Sequence, residues 1–231
     1  MSNKLVILFD VDNTLLDNDT VTADLREHLQ REVGHERQER YWSIFEELRA
    51  ELGYADYLGA LQRYRANYPR DLRVLTVSHF LLSCPFHERL YPNAIDIVQA
   101  LKQYALPVIL SDGDVVFQPH KIRQAGLYDA FDGAVLIYVH KELELEDVAR
   151  RYAAEHYILV DDKLRILAAV KEVWDKHVTT VFVRQGHYAH DSAAIRGYRS
   201  ADYTIERIAD LVNLDFDALW STIRLRQRDG Q

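Results

Sequence analysis

The chain has 231 residues, 48% of them hydrophobic, and a formal net charge of −8. That length fits one large domain or a core domain with an insertion, and the acidic balance argues against a general nucleic-acid or membrane-surface binder. The single cysteine, Cys84, excludes an intrachain disulfide and a CxxC zinc site, and fits a reducing compartment.

A strand-like run begins four residues after the start, with no basic region followed by an apolar helix. No signal peptide is therefore expected, and a cytoplasmic location is. No apolar stretch approaches the roughly 18 residues of a membrane span.

Residues 4–10 are the first apolar run and read as a buried parallel strand. Asp10, Val11, Asp12, Asn13 and Thr14 stand at its end, where open α/β sheets bind ligands. Two carboxylates that close repel each other. A fold keeps them where a cation sits, or where one holds a proton for acid–base work. The alternative is an Asp-rich turn, since Asp, Asn and Thr are ordinary turn residues.

Residues 18–92 read as helical, with helices expected at 21–33, 36–52, 54–67 and 71–82. From Asp10 to Ser111 is 101 residues, against roughly 30 for a plain crossover. The segment is therefore expected to be an inserted helical subdomain over the end of the first strand. It has ten arginines and no lysine. One or two of those arginines can face the cleft and grip an anion, while solvated pairing with glutamates accounts for the rest.

From residue 93 onward, strand-like runs at 107–111, 134–139, 157–161, 179–183 and, more weakly, 202–205 alternate with helical patterns at 94–104, 119–125, 145–155 and 164–174. That alternation predicts right-handed βαβ units and a parallel sheet.

Three more strand ends carry polar groups. Ser111, before Asp112 and Gly113, offers a hydroxyl and free backbone N–H groups suited to a phosphate oxygen, or simply a turn. Lys141 can neutralise a transferring phosphoryl group, or be a surface lysine. Asp161 and Asp162 suit a hard cation such as Mg²⁺, or an acidic helix start.

These four pieces, in this order, resemble the motifs of the haloacid dehalogenase-like hydrolases: DxDxT, then Ser/Thr, then Lys/Arg, then paired acids. Residues 118–127, 180–186 and 201–211 are also similar to that family, so the resemblance covers the whole chain. It implies an α/β, Rossmann-like three-layer core with a parallel sheet at 1–17 and 93–231, and a helical cap at 18–92.

The resemblance further implies a phosphatase that acts on a small phosphorylated metabolite. Asp10 is the implied nucleophile, forming an aspartyl-phosphate, and Asp12 the general acid and base. Ser111 and Lys141 are implied catalytic residues that hold the phosphoryl group, with Asp112, Gly113, Asn13 and Thr14 around it. Mg²⁺ is the implied cofactor, held by Asp10, Asp12, Asp161 and Asp162, with Asp162 aligned to the family's ligand acid.

Two positions depart from the family pattern: Glu142 stands where Pro is common, and Arg165 where an acid or amide is usual. An acid at Asp12 favours phosphate chemistry over dehalogenation, which attacks carbon. The absence of a lysine from the expected cap argues against a phosphonatase with a Schiff base. A 2-haloacid dehalogenase-like activity, a phosphomutase and a binding or regulatory protein without turnover stay open as alternatives.

Overall fold

The computed structural model describes residues 3–215; residues 1–2 and 216–231 of the expected core lie outside the described residues. Its strands are β1 (Asn3–Phe9), β2 (Leu106–Asp112), β3 (Val135–Tyr138), β4 (Ala154–Asp161), β5 (Val178–Val183) and β6 (Tyr203–Ile205). They form one sheet in the order β3-β2-β1-β4-β5-β6, with every pairing parallel.

β1 is buried on both faces, which is why it reads as an unbroken apolar run. Leu5, Ile7 and Phe9 point into one core, Val6 and Leu8 into the other. The first core is closed by α5 (Ala94–Leu101), α6 (Phe117–Gln124) and α7 (Leu127–Ala130), the second by α8 (Leu145–Arg151) and α9 (Leu164–Trp174). The helix expected over 145–155 stops at Arg151, because β4 begins at Ala154, where it pairs with Asn3. Glu155 is exposed, so the start of β4 lacks the apolar signal that begins at Tyr157.

Between β1 and β2 lie α1 (Asn18–Val33), α2 (His35–Leu52), α3 (Tyr57–Asn67) and α4 (Val74–Ser83). The side chain of Asp17 caps α1 by accepting from the Thr20 N–H at 2.9 Å, and Asp56 caps α3 through the Gly59 N–H at 2.6 Å. α2 ends at Gly53, with φ of +82°, a left-handed conformation that glycine adopts without strain.

The two chain segments that join these helices to the sheet lie side by side. Asp17 N–H donates to the Arg89 carbonyl at 2.8 Å, Tyr91 N–H donates to the Leu15 carbonyl at 2.9 Å, and Leu16 pairs antiparallel with Leu90. Buried residues of the helical segment, among them Leu25, Tyr41 and Tyr64, belong to the same core as β1.

Candidate active site

Phe9, the last residue of β1, sits beside Ile109 on one side and Val160 on the other, and β4 runs one residue and β2 three residues further, to Asp161 and Asp112. β1 lies where the chain, having run outward through β2 and β3, returns to β4. Crevices at such reversals are where α/β sheets bind ligands. Asp10, Ser111, Lys141, Asp161 and Asp162 all stand at this edge, and all are buried.

Asp10 follows β1 directly and continues its pairing, with its N–H donating to the Val160 carbonyl at 3.0 Å. Its carboxylate accepts from Lys141 Nζ at 2.5 Å and from the Thr14 hydroxyl at 3.3 Å. Lys141 also reaches Asp161 Oδ2 at 2.7 Å and the Leu110 carbonyl at 3.3 Å. The lysine is fully buried. Burial alone lowers an ammonium pKa, but Asp10, Asp161 and Asp112 outweigh it and hold Lys141 well above its usual range.

Asp161 closes β4, and Asp162 follows. One oxygen each from Asp10, Asp161 and Asp162 lie within 4.8 Å of one another. Asp161 Oδ1 accepts from the Lys163 N–H at 2.8 Å, whereas both oxygens of Asp162 are buried with no hydrogen-bond donor. Burial pushes the Asp161 carboxyl up to about 6 against the pull of Lys141. Burial likewise drives Asp162 well above the carboxylate range, opposed by Lys163 and reinforced by Asp161 and Asp10. A cluster of buried acids in which Asp162 lacks any protein donor matches the demand of a hard divalent cation for oxygen ligands.

The turn after Asp10 is tight. Asn13 takes φ of +62°, and its side-chain carbonyl accepts from the N–H groups of Asn18 and Asp19 at 3.0 and 3.1 Å. Its amide donates to Asp19 Oδ1 at 3.0 Å, so both ends of Asn13 grip the start of α1. Gly186, the first residue of α10 (Gly186–His190), packs on this turn; a Cβ there would lie 2.4 Å from Asn13 Cβ. Gln185 donates to the Thr14 carbonyl at 3.1 Å.

Asp112 and Gly113 line the cavity over the strand ends. Asp112 accepts from the Lys141 backbone N–H at 2.8 Å and fixes the turn that presents the lysine. Ser111 donates to the Asp112 carbonyl at 3.1 Å and accepts from Gln118 Nε2 at 2.9 Å.

The two departures from the motif pattern meet each other: Arg165 Nη1 pairs with Glu142 Oε1 at 2.6 Å. Burial raises the Glu142 carboxyl, but Arg165 more than offsets it and leaves the group below its usual range. Arg165, so paired, lines the cavity.

The cavity, of about 760 Å³, opens over this edge, between the sheet and the helical segment. Trp42, Phe45, Tyr57 and Phe117 form an aromatic wall. Of the ten arginines, Arg26 and Arg49 reach the cavity, lying over the rings of Trp42 and Tyr188 at 4.5 and 5.6 Å. Tyr41 and Tyr64 are instead fully buried in packing.

Sequence reasoning missed Gln118 and Lys121 on α6. Lys121 is 1% exposed, and its Nζ lies 2.5 Å from Asp12 Oδ1. Gln118 and Lys121 both lie in the family-like stretch 118–127, but that likeness assigned them no role, and their spacing of three on a short helix is one a surface helix shows equally well.

Comparison with known proteins bears on this arrangement. A family model described as haloacid dehalogenase-like hydrolase matches residues 5–173. A Burkholderia xenovorans LB400 protein, classed as a haloacid dehalogenase-like hydrolase, has a similar crystal structure, with TM-score 0.89 and 58% identity over 94% of this chain and 98% of that one. The HAD hydrolase YfnB of Bacillus subtilis, solved bound to magnesium, superposes with TM-score 0.60 and 18% identity over 92% of this chain and 98% of its own. The L-2-haloacid dehalogenase of Xanthobacter autotrophicus, solved with covalently bound chloropropionic acid, gives TM-score 0.61 and 16% identity over 90% and 97%. At such identities the last two speak to the fold alone. No curated protein sequence matches the chain.

Proposed function

Because the chain belongs to the haloacid dehalogenase-like hydrolases, we propose that it is a Mg²⁺-dependent phosphatase acting on a small phosphorylated metabolite. In this reading residues 18–92 are a cap over a core formed by 1–17 and 93–231. The observation that carries it is the buried cluster of Asp10, Asp161 and Asp162, in which Asp162 has two oxygens without a donor. Such a cluster fits a divalent cation, and Asp10, Asp161 and Asp162 would hold it together with the Asp12 carbonyl. Mg²⁺ there supplies the positive charge that lets a carboxylate approach a phosphate dianion.

The chain's own residues do the rest. Asp10 attacks phosphorus, and the bond from phosphorus to the leaving oxygen breaks. Asp12 gives that oxygen a proton, then takes one from the water that cleaves the aspartyl-phosphate. Lys141 and Ser111 hold oxygens of the transferring group, and Lys141 offsets its charge. Thr14 keeps the Asp10 carboxylate in its rotamer through the hydroxyl contact. The covering helices exclude water from the cleft.

An acid at Asp12 has no task in displacement of halide from carbon, which favours phosphate over haloacid. The test is release of p-nitrophenol from p-nitrophenyl phosphate with Mg²⁺ and with EDTA, wild type beside Asp10→Asn, and in parallel chloride release from 2-chloropropionate. Magnesium-dependent phosphatase activity lost in Asp10→Asn is the expected result. Chloride release without any phosphatase activity overturns the reading.

A further inference from the structure

We propose that Lys121, assisted by Gln118, is a positioning residue that aims the Asp12 carboxyl at the leaving oxygen of the substrate. This rests on the phosphatase reading, in which Asp12 protonates that oxygen.

The two oxygens of Asp12 are held unequally, and both are held from α6. Lys121 Nζ donates to Oδ1 at 2.5 Å, while Gln118 Nε2 approaches Oδ2 at only 3.4 Å. Oδ1 is thus fixed by an ammonium. Oδ2 is left lightly held and is the oxygen free to meet the leaving group.

The ammonium is 1% exposed, and a lysine is almost never buried unless its charge is used. Its other partner is Asn18 Oδ1 at 3.3 Å, and Asn18 Nδ2 in turn donates to the Tyr57 hydroxyl at 3.3 Å. The lysine therefore bridges the Asp12 turn to the first residue of α1 and, through it, to an aromatic side chain of the cavity wall.

Gln118 is equally constrained. Its side chain passes over Gly113, where a Cβ would lie 2.8 Å from it, and its Nε2 donates to the Ser111 hydroxyl at 2.9 Å. One amide thereby sets the spacing between Ser111 and Asp12. Without Lys121, the half-buried Asp12 would be a carboxylate beside the Asp10, Asp161 and Asp162 cluster with no ammonium of its own. It would be free to rotate away from the leaving group.

A leaving group that is already a good one needs little protonation, and a poor one needs it most; general acid catalysis contributes roughly 10²–10⁴-fold. The experiment compares kcat on p-nitrophenyl phosphate, phenyl phosphate and glycerol 2-phosphate for wild type and Lys121→Met, which keeps the side chain's length without its charge. The expected result is a loss at least about tenfold greater on glycerol 2-phosphate than on p-nitrophenyl phosphate, with phenyl phosphate between them.

Equal losses on all three substrates mean a merely structural lysine and overturn the inference. If Lys121→Met does not fold, Gln118→Leu is measured in the same way. A graded loss in the same order supports the inference, and a flat one overturns it. Failure of the underlying reading is seen separately, as wild type that turns over none of the three.

Discussion

Asp162 sits in the interior with two oxygens and no donor, an arrangement that costs the empty protein stability. Asp162→Asn is therefore expected to raise the melting temperature in EDTA, by roughly 2–4 °C for each kcal/mol of relieved burial cost. The same substitution is expected to abolish the rise in Tm that Mg²⁺ gives the wild type. Thermal melts of both proteins in EDTA and in Mg²⁺ check this; a variant that melts lower in EDTA yet gains fully from Mg²⁺ would contradict it. Glu142 and Arg165 behave oppositely, because each answers the other. Arg165→Leu leaves an acid that is 8% exposed without its cation and is expected to cost about 1–2 kcal/mol. Changing both residues together, to Glu142→Gln and Arg165→Leu, should cost less than the arginine change alone in urea unfolding.

At the scale of elements, the end of α2 is pressed against the turn that carries Lys141. A Cβ on Gly53 would lie 2.2 Å from His140 Cε1, and Gly53 is left-handed besides. Gly53→Ala is expected to cost about 1–2 kcal/mol from the backbone alone. It should also lower kcat, because His140 must move and Lys141 is its neighbour; an unchanged Tm and kcat would show that the contact is slack. Between α3 and α4, Asp71 accepts from Arg73 Nε at 2.7 Å and pairs with Arg37 of α2. The Arg73 hydrogen bond, supported by Arg37, holds its carboxyl down at about 2. A depressed folded-state pKa means stability that is present above the unfolded value of about 4 and is lost as pH falls toward about 2. Asp71→Asn is thus expected to cost at most about 1 kcal/mol at pH 7, and progressively less below pH 4.

At the scale of the molecule, the helical segment and the sheet share one continuous core. Calorimetry should show one unfolding transition rather than two. The central strands were legible in the sequence because the sheet buries both their faces, so charged groups collect where those strands stop. Asp10, Ser111, Lys141 and Asp161 were singled out that way, and the structure brings them to one edge of the sheet. Lys121 was not, because nothing local distinguishes a buried lysine from a solvated one; its burial comes from Asp12, far away in sequence. The Glu142–Arg165 pair looked like two defects for the same reason, since its members lie on different elements. The cavity wall was illegible too: which of the ten arginines faces inward depends on how four helices pack, and packing leaves no period in the sequence.

The paired segments at Leu16 and Leu90 have one more consequence. They are a two-stranded neck, so any rocking of the helices over the sheet turns about that ribbon. One strand of the ribbon starts within three residues of Asp12, and Asn13 clasps the first turn of α1. The helical segment and Asp12 thus share a fulcrum: a lever swung at the far end of α2 is felt at the carboxyl proposed to deliver a proton.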